Sequence, residues 1–360
     1  MTTLLSLLFS LMSLLSGAPS DSVTLVFAGD AMQHDSQLKA AAQTNGSYDY
    51  STYFTAIKPY IEAADLAVVN LETPLGGKPY SGYPMFCAPD SYLDALTDAG
   101  FDFILAANNH TLDRRDKGVC RTIETFRKRG VPYAGIYRNR AERDTVCPAI
   151  IDVNGFKIAI LNYTYGTNGI KIQRDVVVDY IDRNVISRDI AHARQLGAEI
   201  IVTAMHWGDE YKLLPNQSQK RLADWLIDQG VDLIIGGHPH VIQPMEMRHS
   251  DKHDKDVFLV YSLGNFISGM KKTDTQGGAM ARVTLKRDKD GRAIVSNPSY
   301  RLVFVERPGA GVRNFRLLPA ETPPARTDQR NACNAFTRSA LNILNKHNVN
   351  VPRDTSPIGR

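Results

Sequence analysis

The sequence predicts an α/β fold in which buried strands alternate with helices. Short β-branched runs recur along the chain, most of them end in a cluster of polar residues, and amphipathic segments lie between them. Continuous apolar runs of this length are typical of strands that are buried on both faces. Helical segments that alternate with such strands indicate α/β architecture.

The predicted strands share one pattern, an apolar stretch that runs into polar residues. They are VTLVFAGD (23–30), DLAVVNLE (65–72), FDFILAANNH (101–110), EIIVTAMHWGDE (199–210), DLIIGGHPH (232–240) and VFLVYSLGN (257–265). A further run, FKIAILNY (156–163), has the same core and a less polar end. In open α/β sheets, ligands bind beyond the carboxyl ends of the strands, so we expect these polar ends to form the functional site.

The predicted helices place apolar residues at roughly i, i+3 and i+4. They are YFTAIKPYIEAAD (53–65), SYLDALTDAG (91–100), KGVCRTIETFRKRG (117–130), VISRDIAHARQLGA (185–198) and SQKRLADWLIDQG (218–230). Several stop at a glycine, the usual signal for a helix end: Gly100, Gly130, Gly197 and Gly230.

The C-terminal part of the chain changes character. Residues 278–305 predict antiparallel strands around a turn at Asp290-Gly291, residues 306–330 are rich in Pro and Arg, and a helix is predicted at about 333–346. We therefore expect one domain over residues 19–305 and a C-terminal extension of strand and helix, residues 306–360, packed on or beside it.

Composition narrows the class of protein. The chain has 360 residues, of which 43% are hydrophobic and 22% charged, with a net charge of +4. These values are ordinary for a soluble globular protein. Basic residues occur only in small clusters, such as Arg127-Lys128-Arg129 and Lys271-Lys272, so no nucleic-acid partner is expected.

The N-terminus predicts export. Residues 4–18, LLSLLFSLMSLLSGA, form an uncharged apolar run that ends in the small residues Ser16-Gly17-Ala18. The run is shorter than the about 20 residues of a membrane helix, so we expect a cleaved signal peptide over residues 1–18, with an uncleaved anchor as the alternative. The protein would then be periplasmic or extracellular and associated with the cell envelope.

Mass spectrometry of the mature chain should show a start near residue 19; an intact Met1 on a cytosolic protein would contradict export.

Four cysteines follow, Cys87, Cys120, Cys147 and Cys333, and their spacing matches no zinc motif. In an exported protein they allow three full pairings, among which the sequence cannot choose. The alternative is that they are buried free thiols.

The polar strand ends supply a set of metal ligands. They hold Asp30, Asn70, Glu72, Asn108, Asn109, His110, His206, Glu210, His238, His240 and Asn265. Imidazole, carboxylate and amide oxygen without thiolate suit divalent Zn, Mn or Fe. The set exceeds the three or four protein ligands of one zinc ion, so a two-metal site would use it better. Taken singly, Asn108-Asn109 is also a turn signal, and His206 beside Trp207 is also compatible with a packed core histidine.

The order of six motifs carries a family resemblance. GDAMQH, NLETPL, AANNHTLDR, MHWGDEY, GGHPHVIQP and SLGNF are similar to the CapA/PgsA family of poly-γ-glutamate capsule-synthesis proteins, a branch of the calcineurin-like metallophosphoesterases. The resemblance covers roughly residues 23–268. It implies a four-layer α/β/β/α sandwich of the metallophosphoesterase type, with two sheets face to face and helices outside.

The resemblance also implies roles for single residues. Metal ligands would be Asp30, Glu72 at the bridging position, Asn109, His206, His238 and His240. His110 matches the histidine that protonates a leaving group or steadies the transition state. Met32 stands where the wider superfamily has a histidine in the first motif, and His34 follows two residues later.

Two further residues are predicted beside these ligands. Glu210 is expected to be a ligand, a base or a residue that orients His206; a solvated loop acid is the alternative. Arg114 is expected to clamp an anionic substrate; a surface charge is the alternative.

Three functions are consistent with the predicted fold, the candidate ligands and the family resemblance. The first is a metal-dependent hydrolase or transferase that acts on a phosphate ester or an amide bond of an anionic polymer, with one or two divalent ions (Mn, Fe or Zn) and a phosphorylated or γ-glutamyl substrate. The second is a non-catalytic component of a polyanionic polymer's synthesis or export complex, in contact with membrane synthase subunits. The third is an exported sugar- or peptide-binding protein with a structural histidine cluster.

Overall fold

The computed structural model of the chain describes residues 21–358. The segment predicted as a signal peptide, residues 1–18, lies outside the described residues. The strands are β1 (Ser22–Ala31), β2 (Leu66–Leu71), β3 (Phe103–Leu105), β4 (Tyr133–Ala134), β5 (Ile136–Tyr137), β6 (Ala149–Val153), β7 (Phe156–Thr164), β8 (Val177–Val178), β9 (Ile200–His206), β10 (Leu233–Gly237), β11 (Met245–Ser250), β12 (Lys255–Val260), β13 (Asn265–Ile267), β14 (Gly277–Arg287), β15 (Ala293–Glu306) and β16 (Arg316–Pro319).

Eight α-helices lie among the described residues, and three of them, the fifth, sixth and seventh, begin with a side-chain N-cap. They are α1 (Asp35–Ala41), α2 (Lys58–Glu62), α3 (Asp90–Asp98), α4 (Arg115–Arg129), α5 (Arg140–Val146), α6 (Arg183–Gln195), α7 (Gln217–Asp228) and α8 (Thr327–His347). A 3-10 helix lies at Thr273–Thr275. α7 begins with a capping box between Asn216 and Gln219, and α4 ends at Gly130, whose φ of 65° favours glycine.

The strands form two large sheets. The first has the order β16-β15-β14-β1-β2-β3-β4, with β13 also paired to β1; β1 to β4 are parallel, and β14 to β16 are antiparallel. The second has the order β11-β12-β10-β9-β7-β6, with four parallel central strands and antiparallel outer strands β6 and β11. A separate pair joins β5 to β8.

The buried side chains define four layers. Alternate residues of β1 face opposite sides, so Leu25 packs between the two sheets and Val26 packs beneath the helices. The layer between the sheets joins Phe27 and Val68 of the first sheet to Ile158, Val202 and Leu233 of the second. Residues of α3 and α4 cover the first sheet, and residues of α6 and α7 cover the second. The predicted α/β/β/α sandwich is confirmed.

The C-terminal residues add to the same framework. The hairpin predicted around Asp290-Gly291 forms from β14 and β15, and β16 extends that sheet by one strand. α8 packs Phe336 against Phe304 of β15, with their ring centroids 6.2 Å apart. After α8, Val349 pairs with the second sheet, and the Tyr300 backbone of the first sheet donates to the chain at Pro352. The division of the chain at residue 305 stays a prediction.

Two predicted elements are shorter than expected. β3 ends at Leu105 because the side-chain oxygen of Asn162 accepts hydrogen bonds from the backbone N–H groups of Ala106 and Ala107. The predicted helix at 53–65 is reduced to α2, since Pro59 has no N–H to donate and fits only in the first turn of a helix.

The four cysteines are free, and only Cys120 is partly accessible. Of the two alternatives raised by the sequence, the structure shows free thiols. Among the described residues, no helix has both the length and the apolarity needed to cross a membrane.

Candidate metal centre

The carboxyl ends of parallel strands from both sheets meet at one edge of the sandwich. Asp30 lies near the end of β1, Glu72 follows β2, His206 ends β9, and His238 follows β10. Gly237 pairs in register with His206, so β9 and β10 end next to each other at this edge of the sheet. The two sheets therefore bring acidic and imidazole side chains together.

Glu72 connects two groups of ligands. One group is Glu72 with His238 and His240, the other is Glu72 with Asp30 and His206, and within each group the ligand atoms lie within 4.8 Å of one another. Glu72 is fully buried, and neither carboxylate oxygen has a hydrogen-bond partner. A buried carboxylate without a partner is costly, and a cation among these atoms would satisfy it. The donor set thus fits a metal ion.

Asp30 is fully buried and oriented by hydrogen bonds. Its Oδ1 accepts from the side-chain amide of Asn70 at 2.8 Å, and its Oδ2 accepts from the backbone N–H of His238 at 3.2 Å. Burial acts to raise the pKa of Asp30, but its hydrogen bond to His240 and the nearby histidine charges lower it to about 2. Asp30 is therefore held as a carboxylate, the form that binds a cation.

Asn109 and His206 lie against each other. The Nε2 of His206 lies 2.7 Å from Oδ1 of Asn109, whose Nδ2 donates to Asn168 at 3.2 Å. This second hydrogen bond leaves the amide oxygen of Asn109 directed to the centre. Burial lowers the pKa of His206 to about 3, which keeps the imidazole neutral and able to bind a metal.

His238 and His240 stand on strained backbone. Their φ angles are 96° and 58°, in the left-handed region that side chains other than glycine rarely adopt. The Nδ1 of His240 lies 3.1 Å from the side-chain oxygen of Asn265, which orients the ring and leaves Nε2 on the side of Glu72. The Nδ1 of His238 is buried without a partner. The surrounding contacts maintain this conformation, which places both imidazoles in the cluster.

The electrostatics of the centre require positive charge. Burial, together with the charge of Asp30, raises the pKa of Glu72 well above its usual range. Burial acts to lower the pKa of His240, but the charge of Glu72 and the hydrogen bond to Asp30 raise it to about 9. Proton uptake by this coupled pair thus offsets negative charge that a bound cation would otherwise offset.

Comparison with known proteins identifies the family. The model of the family described as "Bacterial capsule synthesis protein PGA_cap" matches residues 24–270. The chain belongs to this family. The resemblance seen in the six motifs is confirmed.

Two relatives carry capsule names. The chain is 28% identical over 287 residues to "Capsule biosynthesis protein CapA" of Bacillus anthracis, covering 77% of this chain and 66% of that protein. It is 28% identical over 282 residues to "PGA biosynthesis protein CapA" of Bacillus subtilis, covering 77% and 71%. The chain thus spans about two thirds of the length of these relatives.

Solved structures show weaker similarity. The calcineurin-like phosphoesterase YfkN from Bacillus subtilis matches with a TM-score of 0.46 and 13% identity, over 90% of this chain and 98% of that one. The NAD nucleotidase of Haemophilus influenzae matches with a TM-score of 0.48 and 13% identity, over 93% of this chain and 64% of that one.

In this member of the PGA_cap family, His110 is oriented by a carboxylate. Its Nδ1 lies 2.8 Å from Oδ2 of Asp113, which also accepts the backbone N–H of Phe86 at 2.7 Å. The Phe86 ring packs edge-on against the imidazole, with the centroids 4.6 Å apart. This contact orients the imidazole and leaves Nε2 as the ring nitrogen outside it, and the catalytic role of His110 stays a prediction.

The other two predicted catalytic residues lie outside the cluster. Glu210 is exposed and belongs to neither ligand group, but its charge acts on the pKa values of Glu72, His206 and His240. Burial and then the charge of Glu210 raise the pKa of Tyr211 to about 12. Arg114 packs near Gly76 and Cys87, with Nε and Nη2 buried and unpartnered, and no contact described for it reaches the ligands. The roles of Glu210 and Arg114, and those of the six ligands, stay predictions.

In the first motif, GDAMQH, Met32 stands at the position where the wider superfamily has a histidine. Met32 is buried, and its carbonyl accepts from Gln37 and Tyr92. His34 does not replace it through Nδ1, because that atom accepts the backbone N–H of Gly269 at 3.1 Å. Burial is the main cause that lowers the pKa of His34 to about 4. The first motif therefore contributes Asp30 to the centre, and the Nδ1 of His34 is not available as a further ligand.

Sequence reasoning does not single out Asp113 and Tyr165. The only sequence signal for Asp113 is its position three residues after His110. Tyr165 follows β7, the strand with the least polar end, and its ring centroid lies 4.5 Å from that of His238. Asn70 and Asn265 occupy strand ends in the sequence, and the structure shows that they orient Asp30 and His240.

Gly237 provides a test of how Asp30 is placed. A Cβ at this position would lie 2.8 Å from Oδ1 of Asp30. Gly237→Ala should displace that carboxylate and weaken metal binding by about 10–100-fold, the range for residues that orient a ligand. Metal titration followed by elemental analysis measures it. Gly166→Ala is the control, because a Cβ there meets nothing within 4 Å. Equal metal affinity in both variants would show that Asp30 is not a ligand.

Proposed function

We propose that this chain is an exported metal-dependent hydrolase of the phosphoesterase type that acts in the metabolism of a capsule or cell-envelope polymer of the poly-γ-glutamate kind. The two CapA relatives, named for capsule and PGA biosynthesis, support the pathway. The buried, unpartnered carboxylate of Glu72 among three histidines and Asp30 carries the proposal of a metal-dependent reaction.

The two ligand groups support a site for two divalent ions, Mn, Fe or Zn, with Glu72 shared between them. Bound there, such ions would polarise a phosphoryl oxygen and lower the pKa of a water molecule. Asp30 and Glu72 bring negative charge to the centre, while the histidines and Asn109 complete the ligand set. His110, oriented by the contact between its Nδ1 and Asp113, would assist the leaving group through Nε2.

Hydrolysis assays with defined metals test this function. The purified protein is depleted of metal and reloaded separately with Mn²⁺, Fe²⁺ and Zn²⁺. It is then assayed on p-nitrophenyl phosphate, bis(p-nitrophenyl) phosphate and γ-glutamyl p-nitroanilide. Metal-dependent release from a phosphate ester is the expected result, and Glu72→Gln should abolish it. Release from the anilide alone would move the proposal to an amide hydrolase or transferase at the same centre.

A second function is favoured by the missing imidazole of the first motif. With Met32 in that position and His34 bonded to Gly269, the centre would hold one metal firmly and a second weakly. A non-catalytic component of a polymer synthesis or export complex would need no more than that. Bound metal without turnover of any of the three substrates, together with copurification with membrane synthase subunits, would support this function.

A further inference from the structure

Exposed tyrosines surround the metal centre. Tyr83, Tyr165 and Tyr211 are 70%, 49% and 40% exposed, and they are the exposed aromatic side chains of the described part of the chain. The ring centroid of Tyr165 lies 4.5 Å from that of His238, and the centroid of Tyr211 lies 6.2 Å from that of His240. Aromatic side chains left open beside a buried polar cluster are typical of ligand sites.

Tyr211 is fixed to the loop that carries the histidines. Its backbone N–H donates to the carbonyl of Pro239 at 2.8 Å, and its φ of 64° is strained for a tyrosine. The next residue is held as well, because the carbonyl of Lys212 accepts from Gln243 at 2.8 Å. The position of the Tyr211 ring therefore depends on the same segment as the ligand His240.

Lys272 lies on the face of this ring. Its Nζ is 4.0 Å from the ring centroid of Tyr211, a cation–π distance. The side chain is exposed, and no carboxylate of residues 21–358 lies within salt-bridge distance of Nζ. The lysine thus has a defined position and forms no ion pair, although the Tyr211 side chain beneath it also interacts with the Glu210 carboxylate.

Hydrogen bonds fix the loop that carries Lys272 on both sides of the lysine. Before it, the Gly269 N–H donates to His34, and Arg307 donates to the carbonyl of Gly269 at 2.8 Å. After it, the Thr275 N–H donates to the carbonyl of Lys272 at 2.9 Å. Because these hydrogen bonds fix the loop on both sides of Lys272, they hold the lysine near the Tyr211 ring.

We propose that Lys272, held on the ring of Tyr211, binds a second anionic group of the substrate, on the side of the centre where His240 lies. The substrate class is then a phosphoryl compound that carries a further carboxylate or phosphate. The inference rests on the proposed function, because it assumes that the phosphoryl group binds at the metal centre. Lysine suits this role as a point charge that reaches an anion without fixed geometry.

Binding of phosphonates, which are not hydrolysed, tests the inference without turnover. Isothermal titration of the Mn²⁺-loaded protein compares phosphonoacetate, phosphonopropionate and phosphonobutyrate with alkylphosphonates of the same length. Alkylene diphosphonates test a second phosphate. We expect at least one dianionic series to bind more tightly than its alkyl partner, and Lys272→Ala to remove about three- to tenfold of that preference. A preference for the carboxyalkyl phosphonates indicates a second carboxylate in the substrate, and a preference for the diphosphonates indicates a second phosphate.

Two matched variants complete the test. Lys271→Ala removes the same charge from the neighbouring position, which has no ring contact described, and it should keep the preference. Lys272→Arg, which keeps the positive charge, should keep most of the preference for dianionic phosphonates. Equal losses in Lys271→Ala and Lys272→Ala, or no preference in the wild-type protein, would overturn the inference. Tight phosphonate binding without hydrolysis of any ester would overturn the proposed hydrolase and leave the inference supported.

Discussion

His110→Ala should retain the metal content of the wild-type protein and lower its turnover of a phosphate ester by about 10²–10⁴-fold, the usual contribution of a general acid. The structure supports this separation, because the Nδ1 of His110 is bonded to Asp113 and His110 belongs to neither group of metal-binding residues. Elemental analysis and steady-state kinetics on the same preparation measure both quantities.

His238→Ala is the matched comparison. It removes one imidazole from a ligand group, so it should weaken metal binding by more than the about 10–100-fold typical of residues that only orient a ligand. Its metal-dependent gain in melting temperature should shrink, while that of His110→Ala should not. His249→Ala, a half-exposed histidine outside the cluster, should change neither property. Equal metal loss in the His110 and His238 variants would show that His110 is itself a ligand.

The strand ends could be predicted from sequence because a single local rule places them. An apolar run that stops at polar residues marks the carboxyl end of a buried strand, and parallel strands bring those ends together. Asp30, Glu72, His206 and His238 therefore emerge from the pattern, and the structure places them in one cluster.

The surroundings of the cluster depend on contacts between distant segments. Tyr211 and Lys272 meet only because two loops fold over the same edge, and neither has a sequence pattern that marks it. The end of β3 is set in the same way by Asn162, from a strand of the other sheet. Tertiary contacts of this kind leave no periodic signal in the segments that they join.

In the motif around His238, the sequence alone predicts the role of the glycines but not the backbone conformation of the histidines. Two glycines precede the histidines, and a Cβ at Gly236 would lie 2.0 Å from the carbonyl oxygen of Tyr261. The glycines thus allow a close approach of backbone, as the sequence suggests. The positive φ of His238 and His240 could not be read from it, because most side chains avoid that region.

Glu72→Gln should reverse the order of stability with and without metal. In the metal-free protein, Glu72 is buried without a hydrogen-bond partner, and its raised pKa shows that the ionised form is costly there. Replacing it with a neutral amide should therefore raise the free energy of unfolding by at most about 1–3 kcal/mol, with the smallest gain at a pH where Glu72 is protonated. With Mn²⁺ at a hundredfold excess over its dissociation constant, the wild type should gain about 2.7 kcal/mol, whereas the variant, which loses the ligand shared by both groups, should gain far less.

Thermal melts of both proteins, with chelator and with Mn²⁺, measure these differences. Glu124→Gln is the control, because this carboxylate is exposed on α4 and lies outside both ligand groups; it should melt like the wild type in each condition. A Glu72→Gln variant that metal stabilises as strongly as the wild type would remove Glu72 from the ligand set. A metal-free variant that is less stable than the wild type would show that the carboxylate has a structural partner in the native protein.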